Sequence, residues 1–178
     1  ADGAEAGTAN LALNRVPGAP DGDGTNEFPW IQGAVPVDDQ GWSQLSGSFT
    51  IETDLDTLVV YLETSGLVDF YIDDITITTE DEVTPPGPNV LYSTSFEDGT
   101  DGWFGRGAAS VEQSDAQANT GEHSLLTTGR TDGWNGPALD LHAIGGFETG
   151  NTYTVEAHVR LADGAEAGTA NLALNRVP

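Results

Sequence analysis

Hydrophobic and polar residues alternate along most of this chain, in short runs, with helical spacing nearly absent. Tyr153, Val155, Ala157 and Val159 alternate with Thr154, Glu156, His158 and Arg160. Leu58, Val60 and Leu62 alternate with Val59, Tyr61 and Glu63. Phe49 and Ile51, Leu11 and Leu13, Leu172 and Leu174, and Phe70 and Ile72 repeat the period. A period of two puts alternate side chains on opposite faces of a strand. At Asp73–Asp74 the phase breaks, because Ile75 and Ile77 then take the inward parity, and this predicts a β-bulge. Clusters rich in Gly, Asn, Asp and Pro (DGAEAG, PGAPDGDGTN, DDQG, TSG, TDGWNG) separate the runs. Short strands with turn signals at this spacing predict an all-β fold, a β-sandwich of jelly-roll type.

One stretch occurs twice. Residues 1–17 read ADGAEAGTANLALNRVP, and residues 162–178 read the same. Each copy is a turn followed by a strand. After Tyr153–Leu161 the connection is short, so the copy at 162–178 is expected to pair antiparallel beside that strand. The segment TEDEVTPPGP, with residues 80–88 as its core, is acidic and then Pro- and Gly-rich, and reads as a linker. The sequence is therefore one sandwich module spanning residues 1–178 in permuted order. Its natural order is 89–178 followed by 18–80. A window cut from a natural tandem repeat explains this arrangement, as does an engineered permutation.

Charge narrows the partners. The chain has 29 acidic residues, five arginines and no lysine, for a formal charge of −24. That charge argues against nucleic acid, whose binding needs phosphate neutralisation, and against anionic membrane surfaces. Acid excess without lysine suits a halophilic protein, because salt screens the self-repulsion. An acidic, calcium-rich extracellular module is the rival explanation. No cysteine is present, which removes disulfides and thiolate metal sites. No apolar run is long enough to span a membrane, and no signal peptide is visible.

The residues suited to chemistry are aromatic and acidic. Tyr61 and Glu63 share the strand face opposite Leu58, Val60 and Leu62. An outward aromatic beside an outward carboxylate suits a ligand with C–H faces and hydroxyl edges. Trp134 lies in GRTDGWNGP, a loop dense in turn residues, where tryptophan makes a poor core former and a good stacking platform. Trp42 and Trp103 read as core or core-edge. His123, His142 and His158 share no metal-ligand spacing, and no Ser-His-Asp set, phosphate loop or zinc motif occurs. Glycoside cleavage needs two carboxylates facing one cleft. Glu63 and Glu156 are candidates by parity alone, and no catalytic residue is assigned.

In the restored order, SFEDGTDGWFGRGAASV, TGEHSLLTTGRTDGWNGPALDL, YTVEAHVRL, VVYLET and VDFYIDDITI follow one another. They resemble a carbohydrate-binding module of family 22, in the family 4/9/22 group attached to xylanases. The resemblance implies an extracellular, non-catalytic β-sandwich that binds xylan or mixed-linkage β-glucan on one sheet face. It implies stacking by Trp134, Tyr61 and Phe28, and hydroxyl binding by Arg106 and Glu63. Phe28 stands where the family usually has tyrosine, and Trp30, two residues on, is a candidate to compensate. The resemblance also implies a structural calcium (Ca2+) held by Glu97 and Asp74, with oxygens near Ser95 and His123. The acidic loop at Asp21–Glu27 reads as solvated. The alternative function is a structural tandem-repeat or filament module that self-associates by strand exchange through the duplicated strand.

Overall fold

The period-two runs become strands, and the turn clusters separate them. A computed structural model describes residues 26–79 and 89–177. The chain forms β1 (Trp30–Val37), β2 (Ser43–Thr50), β3 (Thr57–Thr64), β4 (Phe70–Thr79) and β5 (Asn89–Thr94). It continues as β6 (Phe104–Arg106), β7 (Ser110–Ser114), β8 (Ser124–Thr128) and β9 (Gly136–Asp140). A single helical turn, α1 (Leu141–Ile144), precedes β10 (Thr152–Leu161) and β11 (Gly168–Val177). A five-stranded sheet runs β1-β11-β3-β9-β6, and a six-stranded sheet runs β2-β10-β4-β8-β7 with β5 paired to β4. All pairings are antiparallel. The inward residues of the two sheets form one core, so the fold is a β-sandwich.

The inward parity follows the alternation. Leu58, Val60 and Leu62 of β3 meet Tyr153, Val155, Ala157 and Val159 of β10 in that core. The phase break at Asp73–Asp74 is a bulge: the β4–β10 register shifts opposite it, and Asp74 adopts φ +47°. After the bulge Ile75 and Ile77 are fully buried. Buried Asp73 accepts hydrogen bonds from the backbone N–H of Asp74, Asn119 and Thr120, which tie the bulge to the loop before β8. Trp103 lies in the core and Trp42 is half-buried.

One pairing differs from the expectation. The strand at 168–177 does not lie beside Tyr153–Leu161. β10 already has β2 on one side and β4 on the other. The turn after Leu161 instead crosses between the sheets, and β11 inserts between β1 and β3. Leu172 and Leu174 are buried there, each contributing about 1.5–3 kcal/mol. The first copy (residues 1–17, with Leu11 and Leu13), most of the Asp21–Glu27 loop and linker residues 80–88 lie outside the described residues. Thr79 and Asn89, which flank that linker, are paired across β4 and β5.

Candidate functional site

The outward face of the five-stranded sheet carries the aromatic side chains. On β3, Val59, Tyr61 and Glu63 point away from the core, as their alternation with Leu58, Val60 and Leu62 requires. The partners of Tyr61 are Ala173 on β11 and Ala138 on β9. These small residues leave the tyrosine ring standing between them, and the three form a patch of their own, separate from the core.

Arg106, at the end of β6, lies over this patch. Its guanidinium carbon is 4.0 Å from the Tyr61 ring centroid, 4.9 Å from that of Trp134 and 5.3 Å from that of Phe28. A cation over aromatic faces at such distances is attracted by their quadrupoles. Arg106 Nη1 also donates to the Trp134 backbone carbonyl at 2.7 Å. Four sequence-predicted residues, Arg106, Tyr61, Trp134 and Phe28, thus form one cluster. Trp134 and Phe28 are 48% and 49% exposed, so their rings face solvent. Tyr61 is 3% exposed, although an open aromatic was expected. Arg106 covers it, making it the floor of the site. Burial, with the nearby Glu63 carboxylate, pushes its hydroxyl up to about 12 against the Arg106 charge.

Glu63 is the next outward residue along β3. It is half-buried and accepts from Asn171 Nδ2 at 3.1 Å, while Asn171 Oδ1 accepts from Ala34 N at 2.7 Å. Asn171 is a site neighbour that the sequence reading missed. Its signal is parity, because it lies opposite Glu63 once β11 is known to pair with β3. Phe104, 43% exposed and opposite Ala138, extends the aromatic row and was also missed. Trp30 is half-exposed and lies opposite Ala173, the cross-strand neighbour of Tyr61. It lines a groove with Ser48, Thr50 and Thr152, and its ring packs over Gly33. Glu156 lies on β10 of the six-stranded sheet and so faces no cleft shared with Glu63.

Glycines admit the aromatic cluster. A Cβ on Gly107 would meet the Trp134 ring at 2.7 Å (Cζ3), and Gly107 has φ +69°. Gly136, between Glu63 and Arg106 on the neighbouring strand, lies so close to the Leu62 carbonyl that no side chain fits.

The residues expected to hold calcium meet one loop. Glu97 accepts from Glu122 N and His123 N, and its other oxygen lies 3.1 Å from His123 Nδ1. These bonds, the His123 ring first, hold its carboxyl below the usual range. Asp74 accepts from Asn119 Nδ2 and Thr120 Oγ1, both at 2.6 Å. Ser95 is half-buried two residues before Glu97. The carboxylate, hydroxyl and amide oxygens are the donor type calcium takes. They are engaged with N–H and O–H groups. Among the described residues, no three His, Cys, Asp or Glu side chains are placed to hold a metal.

An open cluster of rings with a cation and a carboxylate at its rim suits a sugar, and comparison with known proteins decides the class. A family model described as a carbohydrate binding domain matches residues 88–175. The chain belongs to this family of carbohydrate-binding domains. Endo-1,4-beta-xylanase A of Thermoanaerobacterium saccharolyticum is 35% identical over 80% of this chain and 12% of its own length. Endo-1,4-beta-xylanase A of Thermotoga maritima is 35% identical over 58% of this chain and 9% of its own. Endo-1,4-beta-xylanase C of Paenibacillus barcinonensis is 40% identical over 43% of this chain and 7% of its own. This carbohydrate-binding domain thus spans about a tenth of the length of these relatives. No solved structure matches it.

Proposed function

We propose that the domain binds xylan or a mixed-linkage β-glucan chain, without cleaving it, along the outward face of the five-stranded sheet. The observation that carries this reading is Arg106 set among three aromatic rings beside Glu63. Trp134 and Phe28 offer exposed ring faces to the C–H faces of pyranose rings. Among the described residues Arg106 makes one hydrogen bond, which leaves donors of its planar fork for hydroxyls. Glu63 accepts from hydroxyls on the other side of the Tyr61 floor. A few such bonds, at about 0.5–1.5 kcal/mol each, support micromolar-to-millimolar affinity. The related xylanases favour xylan as the ligand class. Placing Glu63 and Glu156 on different sheets favours binding over cleavage. Affinity electrophoresis through gels containing xylan, mixed-linkage β-glucan or mannan tests the reading. Retardation by the first or second is expected, and free migration through both would overturn it.

The same reading includes an extracellular, salt-adapted setting and a calcium ion that Glu97 and Asp74 would hold. Calcium is expected to raise the melting point relative to chelator, and an unchanged midpoint removes it.

A second reading has one observation in its favour. The slot between β1 and β3 takes residues 168–177, and residues 7–16 have the same sequence. Exchange of identical strands between chains would build assemblies. Light scattering of the full chain, and of a chain ending at Leu161, tests it. Monomers in both cases overturn it.

A further inference from the structure

The loop carrying Trp134 is held by polar contacts, the Arg106 bond to the Trp134 carbonyl among them. Thr131, Asp132, Gly133 and Trp134 are all exposed, and none adds an apolar anchor to the core. Such a loop ordinarily samples many conformations, and fixing each residue costs about 1–2 kcal/mol of backbone entropy. A stacking platform must nevertheless be in place before the ligand arrives.

Arg130, at the start of the loop, is 7% exposed. Its hydrogen bonds among the described residues go to uncharged oxygens. Nε donates to the Asn135 carbonyl at 2.7 Å, and Nη2 donates to the carbonyls of Gly133 at 2.8 Å and Thr64 at 3.0 Å. Nη1 donates to Thr64 Oγ1 and the Gly66 carbonyl, both at 2.5 Å, and lies 3.4 Å from the Val68 carbonyl. The guanidinium carbon is 5.2 Å from the Phe70 ring centroid. These acceptors belong to two segments. Gly133 and Asn135 flank Trp134, while Thr64, Gly66 and Val68 continue from Glu63 at the end of β3. Asn135 Oδ1 closes the loop by accepting from Thr131 N, Thr131 Oγ1 and Asp132 N at 3.0–3.1 Å.

We propose that Arg130 is a positioning residue for carbohydrate binding, locking the Trp134 loop to the end of β3 and so setting the spacing between the Trp134 ring and the Glu63 carboxylate. The proposal rests on the binding reading above. A planar fork with five donors can serve both segments at once, and a lysine ammonium with three cannot reproduce the arrangement. Arg130 itself touches no ligand in this account.

A double-mutant cycle tests it. Arg130→Lys is expected to weaken xylohexaose binding about tenfold, measured well below the melting temperature. In a Trp134→Ala background the same change is expected to have no further effect. Equal losses in both backgrounds, or no loss in either, would overturn the proposal. Thr64→Val removes a single acceptor hydroxyl, so it reports if Arg130→Lys does not fold. It is expected to give a smaller loss with the same dependence on Trp134, and a loss independent of Trp134 overturns the proposal.

A ligand-free readout separates this inference from the binding reading. With 5-fluorotryptophan in all four positions, the Trp134 resonance is assigned by its disappearance in Trp134→Ala. In Arg130→Lys that resonance is expected to shift and broaden while the buried Trp103 resonance stays sharp. An unchanged Trp134 resonance overturns positioning even if xylohexaose proves not to bind.

Discussion

Arg106 and Arg130 flank the same tryptophan loop and live in opposite surroundings. Arg130 is buried, its donors taken up by carbonyls and one hydroxyl, with a single ring beside it. Arg106 is half-buried, lies among three rings and, among the described residues, makes one hydrogen bond, to a carbonyl. Two glutamates repeat the contrast. Glu97 accepts from two backbone N–H groups and lies beside the His123 ring nitrogen. Glu63 has the Asn171 amide. Saturated polar groups hold a fold together, because every bond is already made. Groups with spare donors or acceptors at an aromatic surface are available to a ligand. The difference between scaffold and site in this molecule is one of hydrogen-bond satisfaction, more than of residue type.

The sharpest way to break this contrast is to truncate both arginines. Arg130→Met leaves the buried carbonyls of Thr64 and Asn135 and three part-buried ones without this donor, and is expected to cost about 3–5 kcal/mol, with a melting point lower by roughly 10 °C. Arg106→Met is expected to shift the melting point by about 2 °C at most, while xylohexaose affinity falls more than about tenfold, near the cost of one charged hydrogen bond. Calorimetric melts and titrations of both proteins check the pair. Similar melting losses would erase the distinction.

Gly107→Ala probes how tightly the aromatic cluster is built. The new Cβ would collide first with Asn135 Nδ2 and would sit 2.7 Å from the Trp134 ring, at a left-handed φ of +69°. A loss of about 1–2 kcal/mol in stability is expected, together with roughly tenfold weaker binding from the displaced ring. Denaturant melts and titration report the two effects separately.

Glu63→Gln tests the open carboxylate. It retains an acceptor and loses the charge, so affinity should fall about three- to fivefold, close to 1 kcal/mol. Titration in high and low salt checks it.

The saturated carboxylate gives the smallest signal. Its bonds hold the Glu97 carboxyl below 4.5, its ordinary value. A group with a depressed folded value contributes stability above its unfolded value and loses it as pH falls. Urea melts between pH 6 and pH 3 should therefore lose stability more steeply in the wild type than in Glu97→Gln. Parallel curves would remove that contribution.

Much of this was legible in the alternation. Period two placed Tyr61 and Glu63 on one face and the bulge at Asp73–Asp74, since both follow from side-chain parity within a single strand. The partner of β11 was not legible. A short connection suggests a hairpin, and only the occupied neighbours of β10 send the strand to the other sheet. The burial of Tyr61 was hidden for the same reason, because it depends on Arg106 arriving from β6, distant in sequence. Arg130 passed unnoticed because a charged residue inside a polar loop carries no periodic signal. Its role comes from carbonyls, which no side-chain pattern encodes.

The proposed function requires the open cluster around Arg106 to bind xylan chains through the exposed ring of Trp134. Titration calorimetry of xylohexaose into the wild type and Trp134→Ala, at high salt, tests it most directly. Micromolar-to-millimolar binding by the wild type and at least about tenfold weaker binding by Trp134→Ala are predicted. Equal affinities would contradict the site, and binding by neither protein would contradict the function.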